Sequence, residues 1–72
     1  MVEVFKTNVR SPKAARRIIK SLSKLSAPHK ANFDLEDCDK ILRVEAQNIT
    51  KTDIDKVITI VKSANFEIEV MG

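Results

Sequence analysis

Hydrophobic and polar residues follow one another along the chain in patterns that predict four strands. Residues 2–9, VEVFKTNV, are rich in β-branched and aromatic side chains, which is typical of a strand. Residues 31–37 alternate, residues 41–45 are again β-branched, and the turn-like DCDK between them predicts a β-hairpin. Residues 66–70 alternate apolar with acidic positions and predict a closing strand.

Two other segments repeat apolar residues at helical spacing. Ser11 and Pro12 suit the N-cap and first position of one helix, which the loop SAPHK ends. Thr50 or Thr52 suits the N-cap of a second helix, and Asn65 suits a left-handed residue at its C-terminus. The apolar stripes are Ala15, Ile18, Ile19, Leu22 and Leu25 in the first helix, and Ile54, Val57, Ile58 and Val61 in the second.

The predicted order is strand, helix, strand, strand, helix, strand within a single domain, residues 1–72. Each half is a split βαβ unit, and right-handed crossovers place both helices on one face of the sheet. We therefore expect an α+β, ferredoxin-like βαββαβ sandwich with a four-stranded antiparallel sheet. The pattern does not select which face of the first strand is buried, because Val2 and Val4 point away from Phe5 and Val9.

The composition is typical of a small globular chain without a disulfide bond. Hydrophobic residues make up 43% and charged residues 32% of the sequence. Cys38 is the single cysteine, so an intramolecular disulfide is excluded and a reducing cytoplasm is the expected location. No apolar run approaches the roughly 20 residues that span a bilayer, and the N-terminus lacks a signal-peptide core. We expect no membrane partner.

Charge is distributed unevenly between the two parts of the chain. The formal net charge is +3, yet residues 1–30 hold eight lysines and arginines against one acid, whereas residues 31–72 hold five basic and nine acidic residues. Such asymmetry favours an anionic partner or a contact between oppositely charged parts of two copies.

Six of the eight lysines and arginines of residues 1–30 lie on one face of the first predicted helix and at its start. Lys13 lies in the first turn, where the helix dipole disfavours cations, and like charges recur four residues apart. A solvated helix face is one interpretation, and a surface that binds an acidic protein or an anion is the other. The residues concerned are Arg10, Lys13, Arg16, Arg17, Lys20 and Lys24.

The chain resembles the heavy-metal-associated (HMA) domain found in copper chaperones and metal-pumping ATPases. The resemblance covers roughly residues 2–70 and depends on element order, on FDLE before the hairpin turn, and on the closing SANFEIEV. It implies the ferredoxin-like fold. It also implies that partner domains dock on the face formed by the first loop and the first helix.

The metal-binding motif of that family, G-M-x-C-x-x-C, does not carry over to this chain. Aligning the aliphatic position that follows the motif with Ile18 puts the two cysteines at Ser11 and Ala14. Asn8 and Val9 then replace the glycine and the methionine. Soft Cu(I) requires thiolates, so we expect no metal or other cofactor at this junction.

Two further residues, Cys38 and His29, carry side chains that can bind metals or act in catalysis. Cys38 lies among Glu36, Asp37 and Asp39, which disfavour a nucleophilic role and offer hard ligands beside a soft one. We interpret it as a partly packed turn cysteine. His29, the one histidine, is interpreted as a surface residue of the loop SAPHK, so the chain lacks the constellation that acid–base or nucleophilic catalysis needs.

RNA-recognition motifs share this topology, but they stack bases on sheet aromatics. The third predicted strand, ILRVE, has no aromatic residue, and four acids would face a bound phosphate chain. We expect nucleic acid not to be the partner. The four acids are Asp34, Glu36, Glu67 and Glu69.

Three functional interpretations remain. The leading one is a non-enzymatic HMA-like module that uses the basic helix face for an acidic protein surface or for self-association. The alternative is a metal-binding or metal-transport-associated protein with unconventional ligands such as Cys38. A third is binding of a small anion at the first helix N-terminus, near Lys13 and Ala14.

Overall fold

Six elements follow one another in the predicted order. The computed structural model describes residues 1–23 and 29–71. In chain order the elements are β1 (Val2–Thr7), α1 (Pro12–Leu22), β2 (His29–Asp34), β3 (Ile41–Ala46), α2 (Lys51–Ser63) and β4 (Ile68–Val70).

The strands form one antiparallel sheet in the order β2-β3-β1-β4. α1 packs on α2 and β2, and α2 also packs on β4. Both helices contribute to a single hydrophobic cluster with one face of the sheet. The predicted α+β, ferredoxin-like sandwich is therefore confirmed.

The core settles which face of β1 is buried. Phe5 and Val9 are fully buried, and Thr7 between them is also buried. Val2 lies on the opposite face and is 49% exposed. The core side is therefore the Phe5 side, because both helices cover that face of the sheet and leave the other open.

Cross-strand register builds the centre of the core. Phe5 lies opposite Leu42, which in turn lies opposite Phe33. Lys40 closes the hairpin turn with a φ of 46°, and its ammonium group donates a 2.7 Å hydrogen bond to the Leu35 carbonyl. Directly opposed apolar side chains are the main stabilising unit of such a sheet, so this row holds three strands together.

Some boundaries differ from the predicted ones. β1 ends at Thr7, before the buried Val9, and β4 begins only at Ile68. β2 begins at His29, so the prediction that this residue lies in a loop is wrong. Pairing with Ala46 of β3 extends the strand to His29, a non-local contact that local pattern does not reveal. Of the predicted residues, Lys24, Leu25 and Pro28 lie outside the described part of the chain.

No helix in the described ranges combines the length and the apolar character needed to cross a membrane.

Candidate functional site

The strand–helix junction between β1 and α1 begins with a capped helix. Ser11 is the N-cap, and its hydroxyl accepts a 3.3 Å hydrogen bond from the Ala14 amide. Pro12 follows at the first helical position, where its lack of an N–H leaves no donor unsatisfied. The predicted helix start is confirmed, and it fixes the direction in which the following side chains project.

The loop that leads into α1 is held from two sides. The Thr7 hydroxyl donates a 2.6 Å hydrogen bond to the Lys40 carbonyl and accepts one of 3.2 Å from the Val9 amide. The Asn8 side-chain oxygen accepts a 2.8 Å hydrogen bond from the Glu67 amide. Sequence reasoning missed both residues, because their partners are 33 and 59 positions away along the chain.

The predicted basic residues of α1 lie together on its solvent side, and Arg10 comes just before the helix cap. α1 buries Ala15, Ile18 and Leu22, and its cations point the opposite way. Five of the six predicted site residues are exposed, and the sixth, Lys24, lies outside the described residues. We call the five the basic face: Arg10, Lys13, Arg16, Arg17 and Lys20.

The basic face carries no compensating acid. α1 has no acidic residue in its first turn, and across residues 1–23 and 29–71 the one ion pair joins Lys6 to Asp39 at 3.7 Å. Lys13 and Arg17, and likewise Arg16 and Lys20, are like charges four residues apart on a helix, which is mildly destabilising. The face therefore presents concentrated positive charge to solvent.

An apolar groove lies beside the basic face, between α1 and α2. The half-buried Ile60 and Phe66 form its wall on the α2 side, and Arg17 stands on its α1 rim. Small side chains keep the groove open. Its lining consists of Ala14, Arg17, Ile18, Ser21, Ile60, Ala64 and Phe66.

The positions that the HMA resemblance assigns to metal-binding thiols hold other groups. The Ser11 hydroxyl is engaged in capping the helix, and the Ala14 methyl group packs against the core. Neither group can donate a pair of electrons to a soft cation as a thiolate does. The residues at this junction therefore do not fit a copper site.

The hairpin turn brings three other potential ligands together. One ligand atom each from Asp37, Cys38 and Asp39 lies within 4.8 Å of the other two. Asp37 Oδ1 already accepts a 2.9 Å hydrogen bond from the Asp39 amide, and the Asp39 carboxylate pairs with Lys6. Cys38 is exposed, so the interpretation as a partly packed cysteine is wrong: within the turn Cys38 faces solvent, while Asp37 and Asp39 on either side are half-buried.

The open face of the sheet is charged but balanced. Three cations, Lys6, Lys30 and Arg43, alternate with three acids, Asp34, Glu45 and Glu69. The chain has three phenylalanines and no other aromatic ring except its histidine. All three phenylalanines belong to the core or pack against it, so they cannot offer the stacking platform of an RNA-recognition motif.

Comparisons of this chain with models of protein families, with curated proteins and with solved structures returned no match.

Proposed function

We propose that this chain is a non-enzymatic interaction module, HMA-like in architecture, that binds an acidic protein surface through its basic face. One observation carries the proposal. Five exposed cations lie within residues 10–20, four of them on the solvent side of α1, and no acid of α1 or ion pair among the described residues neutralises them.

The position of these charges supports binding more than helix stability. Lys13 lies in the first turn of α1, where a carboxylate would interact favourably with the helix dipole and an ammonium does not. A docked carboxylate would reverse that unfavourable term. The anchoring of Thr7 and Asn8 also holds the junction in one conformation before a partner arrives, which lowers the entropic cost of binding.

The neighbouring groove favours a protein over a nucleic acid as the anionic partner. Ile60 and Phe66 are half-buried and can accept an apolar side chain, with Arg17 at hand for a carboxylate. Interfaces between proteins combine such an apolar centre with a charged rim. An acidic segment with one or two apolar residues matches both features.

The test uses poly-L-glutamate as a probe of acidic protein surfaces. Amide NMR signals of residues 10–20 should shift on titration, and the shifts should weaken as salt screens the charges. The double variant Arg16→Glu/Lys20→Glu should abolish them. The matched control Lys51→Glu/Lys56→Glu makes the same change in net charge on α2 and should retain them.

Three outcomes would overturn the proposal. The first is equal loss of binding in the two double variants, which would mean that net charge alone attracts the probe. The second is an unchanged titration of Arg16→Glu/Lys20→Glu. The third is binding of single-stranded poly(dT) at the basic face with no response to poly-L-glutamate, which would assign the face to nucleic acid.

The alternative, metal binding with unconventional ligands, would use the hairpin turn, because Asp37, Cys38 and Asp39 offer ligand atoms within 4.8 Å of one another. Titration of the reduced protein with Zn(II) and with Cu(I) tests it. Stoichiometric binding that Cys38→Ser removes would establish that alternative. Retention of the basic-face response in Cys38→Ser would show that the two properties are independent.

A further inference from the structure

β2 lies at one edge of the sheet, and the backbone bonding of the next strands shows which of its groups face outward. The Met1 amino group donates to the Ala46 carbonyl, and the Ala46 amide donates to the Met1 carbonyl at 2.9 Å. Ala46 therefore bonds toward β1. Hydrogen-bonded positions alternate along an antiparallel strand, so Arg43 and Glu45 bond toward β2.

This alternation assigns the polar backbone groups of β2. Lys30 lies opposite Glu45 and Asn32 lies opposite Arg43, so both direct their N–H and C=O groups toward β3. Ala31 and Phe33 direct theirs away from the sheet. They are the positions at which another strand can add to this edge.

We propose that two copies of the chain pair through β2, antiparallel about a two-fold axis at Asn32, to form a continuous eight-stranded sheet. In this register Ala31 of one copy lies opposite Phe33 of the other. Both residues have outward-facing backbone groups, so each such pair exchanges two hydrogen bonds. The interface is self-complementary, as a two-fold dimer requires.

The charges of β2 select this register. Pairing about Asn32 sets Lys30 of each copy opposite Asp34 of the other, at positions where opposed side chains are closest. Pairing about Ala31 would set Lys30 opposite Asn32. Pairing about Phe33 would set Asp34 opposite Asn32 and Lys30 opposite Glu36, which lies in the turn beyond the end of β2. Lys30 and Asp34 are both exposed on the open face, so their side chains are accessible to a second copy.

The two edges of the sheet differ in their suitability for pairing. β4, the opposite edge, has three residues, and a short edge strand is a common defence against pairing. β2 has six residues, and its one lysine, the usual edge deterrent, is offset by Asp34 in the same strand. Of the two edge strands, β2 is therefore the better suited to pair with another strand.

Such a dimer would place both helix layers on the same side of the sheet. α1 packs on β2, so the two basic faces would lie alongside each other and form one larger cationic surface. This consequence rests on the proposed function, whereas the pairing itself does not. The two faces repel each other, and salt screens this repulsion. Pairing should therefore be measured at 0.15 M salt, where the Debye length is about 8 Å.

Sedimentation equilibrium from micromolar to millimolar concentration tests the pairing, since a single strand pair buries little area and gives a weak dimer. The wild-type chain should dimerise reversibly. Lys30→Asp leaves two acids on the edge and Asp34→Lys leaves two bases. Each alone should weaken self-association by about tenfold, through loss of both cross-strand charge pairs.

The two single variants mixed in equal amounts should form a heterodimer, and the double variant Lys30→Asp/Asp34→Lys should dimerise again. The matched control Lys56→Asp/Asp55→Lys exchanges charges on α2 and should behave as wild type. Circular dichroism confirms folding, which matters most for Lys30→Asp, because its new carboxylate faces Glu45 of β3.

Hydrogen exchange gives an independent readout. The Ala31 and Phe33 amides should become protected as protein concentration rises, whereas binding of an acidic peptide to α1 would not protect them. A wild-type chain that stays monomeric at millimolar concentration overturns the proposal. So does a dimer that neither charge variant weakens, or one that leaves those two amides unprotected.

Discussion

α1 and α2 pack on the same side of one sheet, yet of the two only α2 has an acid in its first turn. α2 begins with a capping box in which Thr50 and Asp53 bond each other's backbone amides, and Lys62 lies in its last turn. Acid at the start and base at the end match the helix dipole. α1 has a single cap bond from Ser11 and no acid in its first turn.

The contrast shows that charge serves different ends in the two helices. In α2 Asp53 and Lys62 stabilise the helix that carries them, although Lys51 stands at its first position. In α1 Lys13 at the start and the like charges four residues apart work against the helix, and Lys20 in the last turn matches its dipole, so α1 depends on the burial of its apolar stripe, including the fully buried Leu22. This division is the strongest physical reason to look for a partner at α1 and not at α2.

The largest change in unfolding free energy is expected from a substitution that disrupts the packing of α1. Leu22→Ala should lower the free energy of unfolding by about 2–5 kcal/mol, because it leaves a cavity where the side chain is now 0% exposed. Urea denaturation followed by circular dichroism measures it. Leu22→Met, which conserves volume, should cost less than about 1.5 kcal/mol. A loss no larger for Leu22→Ala than for Leu22→Met would mean that α1 does not depend on this contact.

A change in unfolding free energy of intermediate size is expected when either N-cap residue is replaced. Thr50→Ala should cost about 0.5–2 kcal/mol of unfolding free energy, in the range of other N-cap replacements. Ser11→Ala should cost less, because the Ser11 hydroxyl makes one cap bond of 3.3 Å, whereas the Thr50 hydroxyl accepts one of 3.2 Å from the Asp53 amide and donates one of 3.1 Å to the Asp53 carboxylate. Thermal and urea unfolding of both variants give the order. The reverse order would contradict the view that α2 has the better-stabilised start.

The smallest expected effect is a change in unfolding free energy that has opposite signs in the two helices. Lys13→Glu should raise the free energy of unfolding by about 0.3–1 kcal/mol, since it puts an acid in the first turn of α1. Asp53→Lys should lower it by at least as much in α2. Unfolding at low and at high salt separates the electrostatic part, which salt screens. The same sign for both would refute the comparison.

Lys13→Glu also connects stability to binding. The variant should be more stable than the wild-type chain and yet bind poly-L-glutamate more weakly, as titration of the residue 10–20 amides would show. A surface tuned for its own helix would gain stability with no loss of binding.

Local sequence predicted the elements well wherever a side chain acts on its own segment. Ser11 and Thr50 cap the two helices, and Asn65 has the expected positive φ, 69°. These features depend on hydrogen bonds or steric preferences within a few residues. The two-sided character of α1 followed from spacing alone, and five of its six predicted site residues are exposed as expected.

The predictions that were wrong or missing concern residues whose contacts are with segments distant along the chain. His29 belongs to β2 because Ala46 pairs with it, and Cys38 faces solvent in a turn whose Asp39 carbonyl accepts a hydrogen bond from the Thr7 amide of β1. Local sequence does not identify Thr7 and Asn8 as site residues, although they anchor the junction through hydrogen bonds to Lys40 and Glu67.

The sequence by itself determined the order of the elements, the ferredoxin-like class and the basic face of α1, because hydrophobic periodicity and helix capping are local. The tertiary structure decided which side of β1 is buried, how the loop before α1 is held, and which backbone groups of β2 face outward. Each of these depends on register between strands, and register is set when distant segments pair and bury a common face.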